Sequence, residues 1–153
     1  MKELFKFQVE KYLTIFFDDK IDIHERIFRD FEMSQNESGG FNFNQVVMDP
    51  TKDVFIKFYS PNCGHCKAVA PIWEEFAIKI KESGNSNVII ADIDVSKNDF
   101  GFEIARYPLF FMYPATKEKI KLNYDNSAER TVEKFTEWLV ANAKNKIIIK
   151  NDL

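Results

Sequence analysis

The 153-residue chain has two cysteines, and both fall in the tetrad Cys63-Gly64-His65-Cys66. Two thiols at this spacing, where a strand gives way to a helix, are a signature of reversible disulfide chemistry. Only the thiolate attacks a disulfide, so the pKa of each sulfur sets its role. Cys63 is the candidate nucleophile: a helix N-terminus, the adjacent His65 and the charge of Lys67 all favour its anion. Cys66, one turn inside, would be the resolving thiol that releases Cys63 from a mixed disulfide. The competing chemistry is zinc, which takes four ligands in structural sites. The chain's two histidines are His24 and His65. His65 lies between the cysteines, where joint chelation is strained, and His24 lies far upstream, so the sequence calls for no metal. It calls for no other cofactor: haem attachment needs a histidine directly after the second cysteine, where Lys67 stands.

Placing the tetrad at such a junction demands a strand before it and a helix after it. Residues 54–59 form an apolar run that reads as a buried central strand, ended by Ser60-Pro61. Residues 63–83 read as a long helix with Val69, Ile72, Phe76 and Ile80 on its core face. Pro71 should kink it, and Gly84 suits the position after its end. The remainder alternates as an α/β unit should. It predicts a short helix over 44–48, a second central strand over 88–93 and a helix capped by Ser96 running to Ala105. A hairpin over 109–113 and 120–124 and a last helix over 128–143 complete the unit. Upstream, Phe5, Val9, Tyr12, Leu13 and Phe16 recur at helical spacing, predicting an amphipathic helix over 3–17.

With its flanks, the tetrad resembles the catalytic domains of the protein disulfide isomerase family. The resemblance is carried by residues 57–73, by Ala91-Asp92-Ile93-Asp94, by Arg106-Tyr107-Pro108, and by Tyr124, Glu129-Arg130-Thr131, Phe135 and Leu139. It covers residues 41–139 and implies a thioredoxin fold: an α/β domain with a central mixed sheet flanked by helices. It further implies that Cys63, Gly64, His65 and Cys66 form the catalytic tetrad. Tyr107 and Pro108, joined by a cis bond, would present a backbone edge to an incoming peptide. Arg130 would act on the second cysteine. Many family members have a buried Glu where Lys57 stands and a buried Lys where Asp92 stands, so this chain exchanges the two charges, leaving Asp92 or water as the proton relay for Cys66. Asn62 replaces the Trp that the family places before the first cysteine as a substrate platform. The family's first edge strand is in doubt, because residues 33–40 are poor in β-branched side chains.

The net charge of −3 is mild and both signs are interspersed, which argues against nucleic acid as a partner. No apolar run approaches the roughly 20 residues of a membrane span. The expected organisation is an N-terminal helix and acidic linker over 1–38, a remnant of a preceding domain, then a catalytic domain over 39–145 and a tail over 146–153. Asn36-Glu37-Ser38 in the linker is a glycosylation triplet of the kind that occurs by chance. The tail ends Lys150-Asn151-Asp152-Leu153, similar to endoplasmic reticulum (ER) retention signals. The N-terminus lacks the apolar stretch of a secretory signal, so an ER address suggests a piece of a longer protein. The implied activity is a thiol–disulfide oxidoreductase and isomerase of the ER lumen. Its partners would be cysteine-containing substrate polypeptides, an ER thiol oxidase, glutathione and a retention receptor. Two alternatives stay open: a cytosolic thioredoxin-type reductase, and a peptide-binding or chaperone module with little redox turnover.

Overall fold

The computed structural model describes residues 14–15, 47–97 and 105–150. Among the described residues, five strands and two α-helices follow in the order β1 (Thr14–Ile15), β2 (Asp53–Tyr59), α1 (Gly64–Glu82), β3 (Val88–Asp94), β4 (Leu109–Tyr113), β5 (Leu122–Asn123) and α2 (Val132–Asn142). They build one mixed sheet of order β1-β3-β2-β4-β5, in which only β2 and β3 run parallel. The central strands are buried on both faces, which is why they read as mostly apolar runs, broken by Lys57 and Asp92, rather than alternating ones.

The pleat divides β2 between two cores. Phe55 faces α1 and α2 together with Ile90, Phe110 and Met112, where Val69, Trp73, Phe76, Ile80, Phe135 and Leu139 cover them. Val54, Ile56 and Phe58 face the other way with Ala91, Ile93, Phe111 and Val47. Aromatic rings dominate the first core. Trp73 stands edge-on to Phe55 at 5.0 Å and to Phe135 at 5.1 Å, and its indole N–H donates to the Ala91 carbonyl at 3.1 Å. That bond satisfies the one polar atom of a fully buried side chain. It also fixes α1, and with it the tetrad, against β3.

The structure departs from the sequence expectations at three places. Thr14–Ile15, assigned above to a helix over 3–17, form β1 and pair antiparallel with β3, Thr14 opposite Asp92 and Ile15 opposite Ala91. Both residues are β-branched and suit a strand. β1 therefore occupies the sheet edge that residues 33–40 left in doubt. Residues 1–13 and 16–46 lie outside the described residues; of the helix expected over 44–48, the described part is helical Val47, followed by a turn at Met48. Ser96 does not cap a helix. It sits within a 3-10 turn, Val95–Lys97, where Asp94 Oδ1 accepts from both its N–H (2.9 Å) and its hydroxyl (2.6 Å). A carboxylate is the stronger acceptor and takes the capping role; residues 98–104 of the expected helix lie outside the described residues. α2 begins at Val132 rather than 128, because Thr131 accepts from the Lys134 N–H and caps it.

The C-terminal segment is fastened by polar hooks. Asp53 is fully buried, and its carboxylate accepts from the backbone N–H groups of Ala115, Lys144 and Asn145 and from the Asn145 amide, all within 2.9 Å. Asn85 both accepts from the Ile148 N–H and donates to the Ile148 carbonyl, at 2.7 Å each. Ile147 and Ile149 pack on the helix-side core. Asp53→Asn replaces one accepting oxygen with a donor that opposes the donors already there. It should lower stability by about 2 kcal/mol in urea denaturation, the scale of a buried hydrogen-bonding group left unmatched. Stability equal to wild type would show that the carboxylate is not what holds the segment.

Candidate active site

Each reactive group sits where the local sequence places it. β2 ends at Tyr59, and Ser60-Pro61-Asn62 turn the chain, with the Cys63 N–H donating to the Ser60 carbonyl at 3.1 Å. Cys63 is the N-cap of α1: its backbone is extended, and its sulfur accepts from the Cys66 N–H at 3.2 Å. A sulfur thus replaces the usual capping oxygen and faces the positive end of the helix, which favours its anion. Cys66 lies one turn on and is 3% exposed, whereas Cys63 is partly accessible. Both are free thiols.

The two sulfurs are displaced in opposite directions. Burial pushes Cys63 up, but hydrogen bonds from the Cys66 thiol and from the Cys66 and His65 N–H groups, with the charge of Arg130, outweigh it and leave its pKa lowered. Burial is also the main cause at Cys66, joined by its hydrogen bond to Cys63, and here it wins: the pKa rises to about 11. A Ser60 backbone hydrogen bond and the Lys57 ammonium restrain that rise.

Beneath the tetrad, Lys57 and Asp92 occupy directly opposed positions on the parallel strands β2 and β3. Lys57 Nζ lies 3.3 Å from Asp92 Oδ2, with the side chains 4% and 12% exposed. Across the site, the Tyr107–Pro108 peptide bond is cis, and the Tyr107 carbonyl oxygen lies 3.7 Å from Cys63 Sγ. Arg130 precedes the cap of α2, with its guanidinium 5.9 Å above the Phe110 ring and a 3.4 Å hydrogen bond to the Asn126 carbonyl.

A dithiol of this kind, facing a cis-Pro edge from a strand-to-helix junction, accords with the match of residues 35–141 to the family described as Thioredoxin. The chain belongs to the thioredoxin family. Within that family its relatives include protein disulfide-isomerase from Humicola insolens, 42% identical over 112 residues, covering 72% of this chain and 22% of that protein. The Aspergillus niger protein disulfide-isomerase is 31% identical and covers 95% of this chain and 29% of that protein. The chain therefore spans less than a third of either relative's length. Among solved structures, the first thioredoxin domain of mouse protein disulfide-isomerase A4 is 27% identical with a TM-score of 0.53, covering 72% of this chain and 78% of that one.

This thioredoxin fold brings together Cys63, Cys66, Tyr107, Pro108, Lys57, Asp92 and Arg130. Asn62, Gly64 and His65 are exposed on the outer side of the loop, and a Cβ on Gly64 would meet nothing within 4 Å. Two expectations shift. His65 reaches Cys63 through its backbone N–H, and Arg130 is a cation that lowers Cys63 beyond those the sequence pointed to. The charge of Arg130, which the resemblance directs to Cys66, bears on Cys63. The sequence reading missed Tyr59. Its ring lies 5.2 Å from Lys57 Nζ, and burial with the charges of Asp92, Asp94 and Cys66 holds its hydroxyl protonated. The available signal was the pleat, which puts Tyr59 two residues after Lys57 on the same face.

Proposed function

We propose that this chain is a thiol–disulfide oxidoreductase and isomerase that forms and reshuffles disulfides in folding polypeptides. The observation that carries the reading is the opposite displacement of two thiols within one helical turn. The exposed sulfur is held toward the attacking anion, and the buried one is kept protonated until it is needed. In the reducing direction, the Cys63 thiolate attacks one sulfur of a substrate disulfide and expels the other as a thiolate. Cys66 then gives up its proton and attacks Cys63, releasing the second substrate thiolate. The substrate gains two electrons and the Cys63–Cys66 disulfide forms. In the oxidising direction the same bonds change in reverse.

Lys57 and Asp92 serve the second step. The ammonium favours the Cys66 thiolate, and Asp92 holds the ammonium in place and, directly or through water, takes the proton. The Tyr107–Pro108 edge receives the substrate backbone. Cysteine-containing polypeptides are the substrates, with glutathione and a thiol oxidase as redox partners. An ER location, with a retention receptor as partner, fits the Lys150-Asn151-Asp152-Leu153 tail and the isomerase relatives.

The deciding measurement is the reduction potential of Cys63–Cys66 in glutathione buffers, read by thiol trapping. The expected value is near about −180 mV, as in disulfide isomerases. A value near about −270 mV, as in thioredoxin, would overturn the isomerase reading in favour of a reductase.

A further inference from the structure

The rim of the dithiol is polar and basic. Three stretches frame Cys63: residues 60–62, the first turn of α1, and residues 105–109, whose Tyr107 carbonyl lies against Cys63 Sγ. Asn62, His65, Lys67 and Arg106 on these stretches are all exposed. Arg130 is half-buried, and its charge reaches Cys63. Residues 60–67 and 105–109 contain no Asp or Glu. The large exposed hydrophobic residues among those described are Met48, Ile78, Ile120, Val140 and Ile148, and none belongs to these stretches. The rim is therefore opposite in sign to the chain as a whole, which carries a net charge of −3.

A substrate lays the residues on either side of its cysteine across this rim. Tyr107 and Leu109 are half-buried and no large apolar side chain is fully exposed on these stretches, so discrimination falls chiefly to charge and hydrogen bonding. At physiological ionic strength the Debye length is about 8 Å, so the chain's dispersed negative charge is screened while a charge placed directly over Lys67 or Arg106 is not. We infer that the site selects disulfides whose cysteines are flanked by Asp or Glu, which makes acidic cysteine-containing polypeptides the substrate class. The inference rests on the oxidoreductase reading above and concerns only which disulfides enter the first exchange. That step forms the Cys63–substrate disulfide and expels the partner substrate thiolate, which takes a proton from water.

The test is a single-turnover reaction of the reduced full chain with three peptide disulfides of equal length, flanked by Glu, Gln or Lys. At low ionic strength the Glu-flanked peptide should react about tenfold faster than the Lys-flanked one, as complementary charge chiefly raises association rates. The ratio should fall to about twofold near 0.5 M NaCl, where screening shortens to about 4 Å. The double substitution Lys67→Glu, Arg106→Glu should reverse the order of Glu and Lys peptides. Dividing each variant's rates by its iodoacetamide alkylation rate removes any change in the Cys63 thiolate itself. Equal rates for the three peptides at low salt, with exchange otherwise brisk, would overturn the inference and leave the oxidoreductase reading intact. No exchange with any peptide, while Cys63 still alkylates, would overturn both.

Discussion

Substoichiometric iodoacetamide at pH 7 should alkylate Cys63 at least about tenfold faster than Cys66 in the reduced wild-type chain, with the sites mapped by mass spectrometry. A thiol at 9.0 is about 1% thiolate at pH 7, and Cys63, displaced downward from there, exceeds that fraction. Cys66 at about 11 is thiolate to roughly one part in ten thousand. The ionised fractions thus favour Cys63 by at least about 100-fold. A lower pKa also makes a weaker nucleophile, and with a Brønsted slope of 0.4–0.5 the difference of about 2 units between Cys66 and an unshifted thiol returns a factor of less than about ten. Thiolate population wins over intrinsic nucleophilicity. Access points the same way, since Cys66 is 3% exposed.

The pH profile carries the sign of each shift. Cys63 labelling should level off once the pH passes its lowered pKa, whereas Cys66 labelling should continue to climb toward about pH 11. Arg130→Gln removes a cation from beside a thiolate, so the Cys63 midpoint should move up. A Cys63 midpoint at or above that of an unstructured peptide thiol, or equal labelling of the two cysteines, would refute the assignment of attacking and resolving roles.

Local signals made the catalytic half of the fold legible. Residues 54–59 and 88–93 are apolar runs of strand length, each broken by one charge, Lys57 or Asp92, residues 63–83 hold helical spacing, and Gly84 closes that helix with a φ of +84° that favours glycine. What stayed hidden depends on contacts distant in sequence. Thr14–Ile15 lie among Phe5, Val9, Leu13 and Phe16, whose spacing suits a helix, and their pairing with the edge of β3 is invisible until the sheet forms. Asp53 reads as the end of a polar turn, yet it is fully buried because Lys144 and Asn145 come to it from the far end of the chain. Ile147-Ile148-Ile149 carries no local reason to fold back; Asn85 provides it by holding both backbone polar groups of Ile148. At the site, position along the chain made Lys67 the obvious cation, being next to Cys66. The structure adds a second cation that no local spacing could place beside Cys63. Arg130 arrives from the loop before α2.

Lys57→Met should destabilise the reduced chain by about 3–5 kcal/mol, because it withdraws the ammonium from a carboxylate that stays buried. It should also slow the resolution of mixed disulfides. Lys57 is a charge that lowers Cys66, so its removal leaves burial and the Cys63 sulfur less opposed, and the Cys66 pKa rises above its already raised value. These two effects separate in the double variant Lys57→Met, Asp92→Leu. Replacing a buried ion pair by apolar side chains of similar size is often neutral or stabilising, so stability should return close to wild type. The resolving rate should not return, since no cation then favours the Cys66 thiolate and no carboxylate takes its proton. Resolution is read by trapping the Cys63–peptide disulfide in wild type and both variants, then following release of the second thiol. If the double variant recovers stability and resolving rate together, the pair is a structural element of the sheet and Cys66 is activated by other means. If stability returns while resolution stays slow, the exchanged pair acts on the second cysteine, with the ammonium rather than the carboxylate as the charge that Cys66 feels.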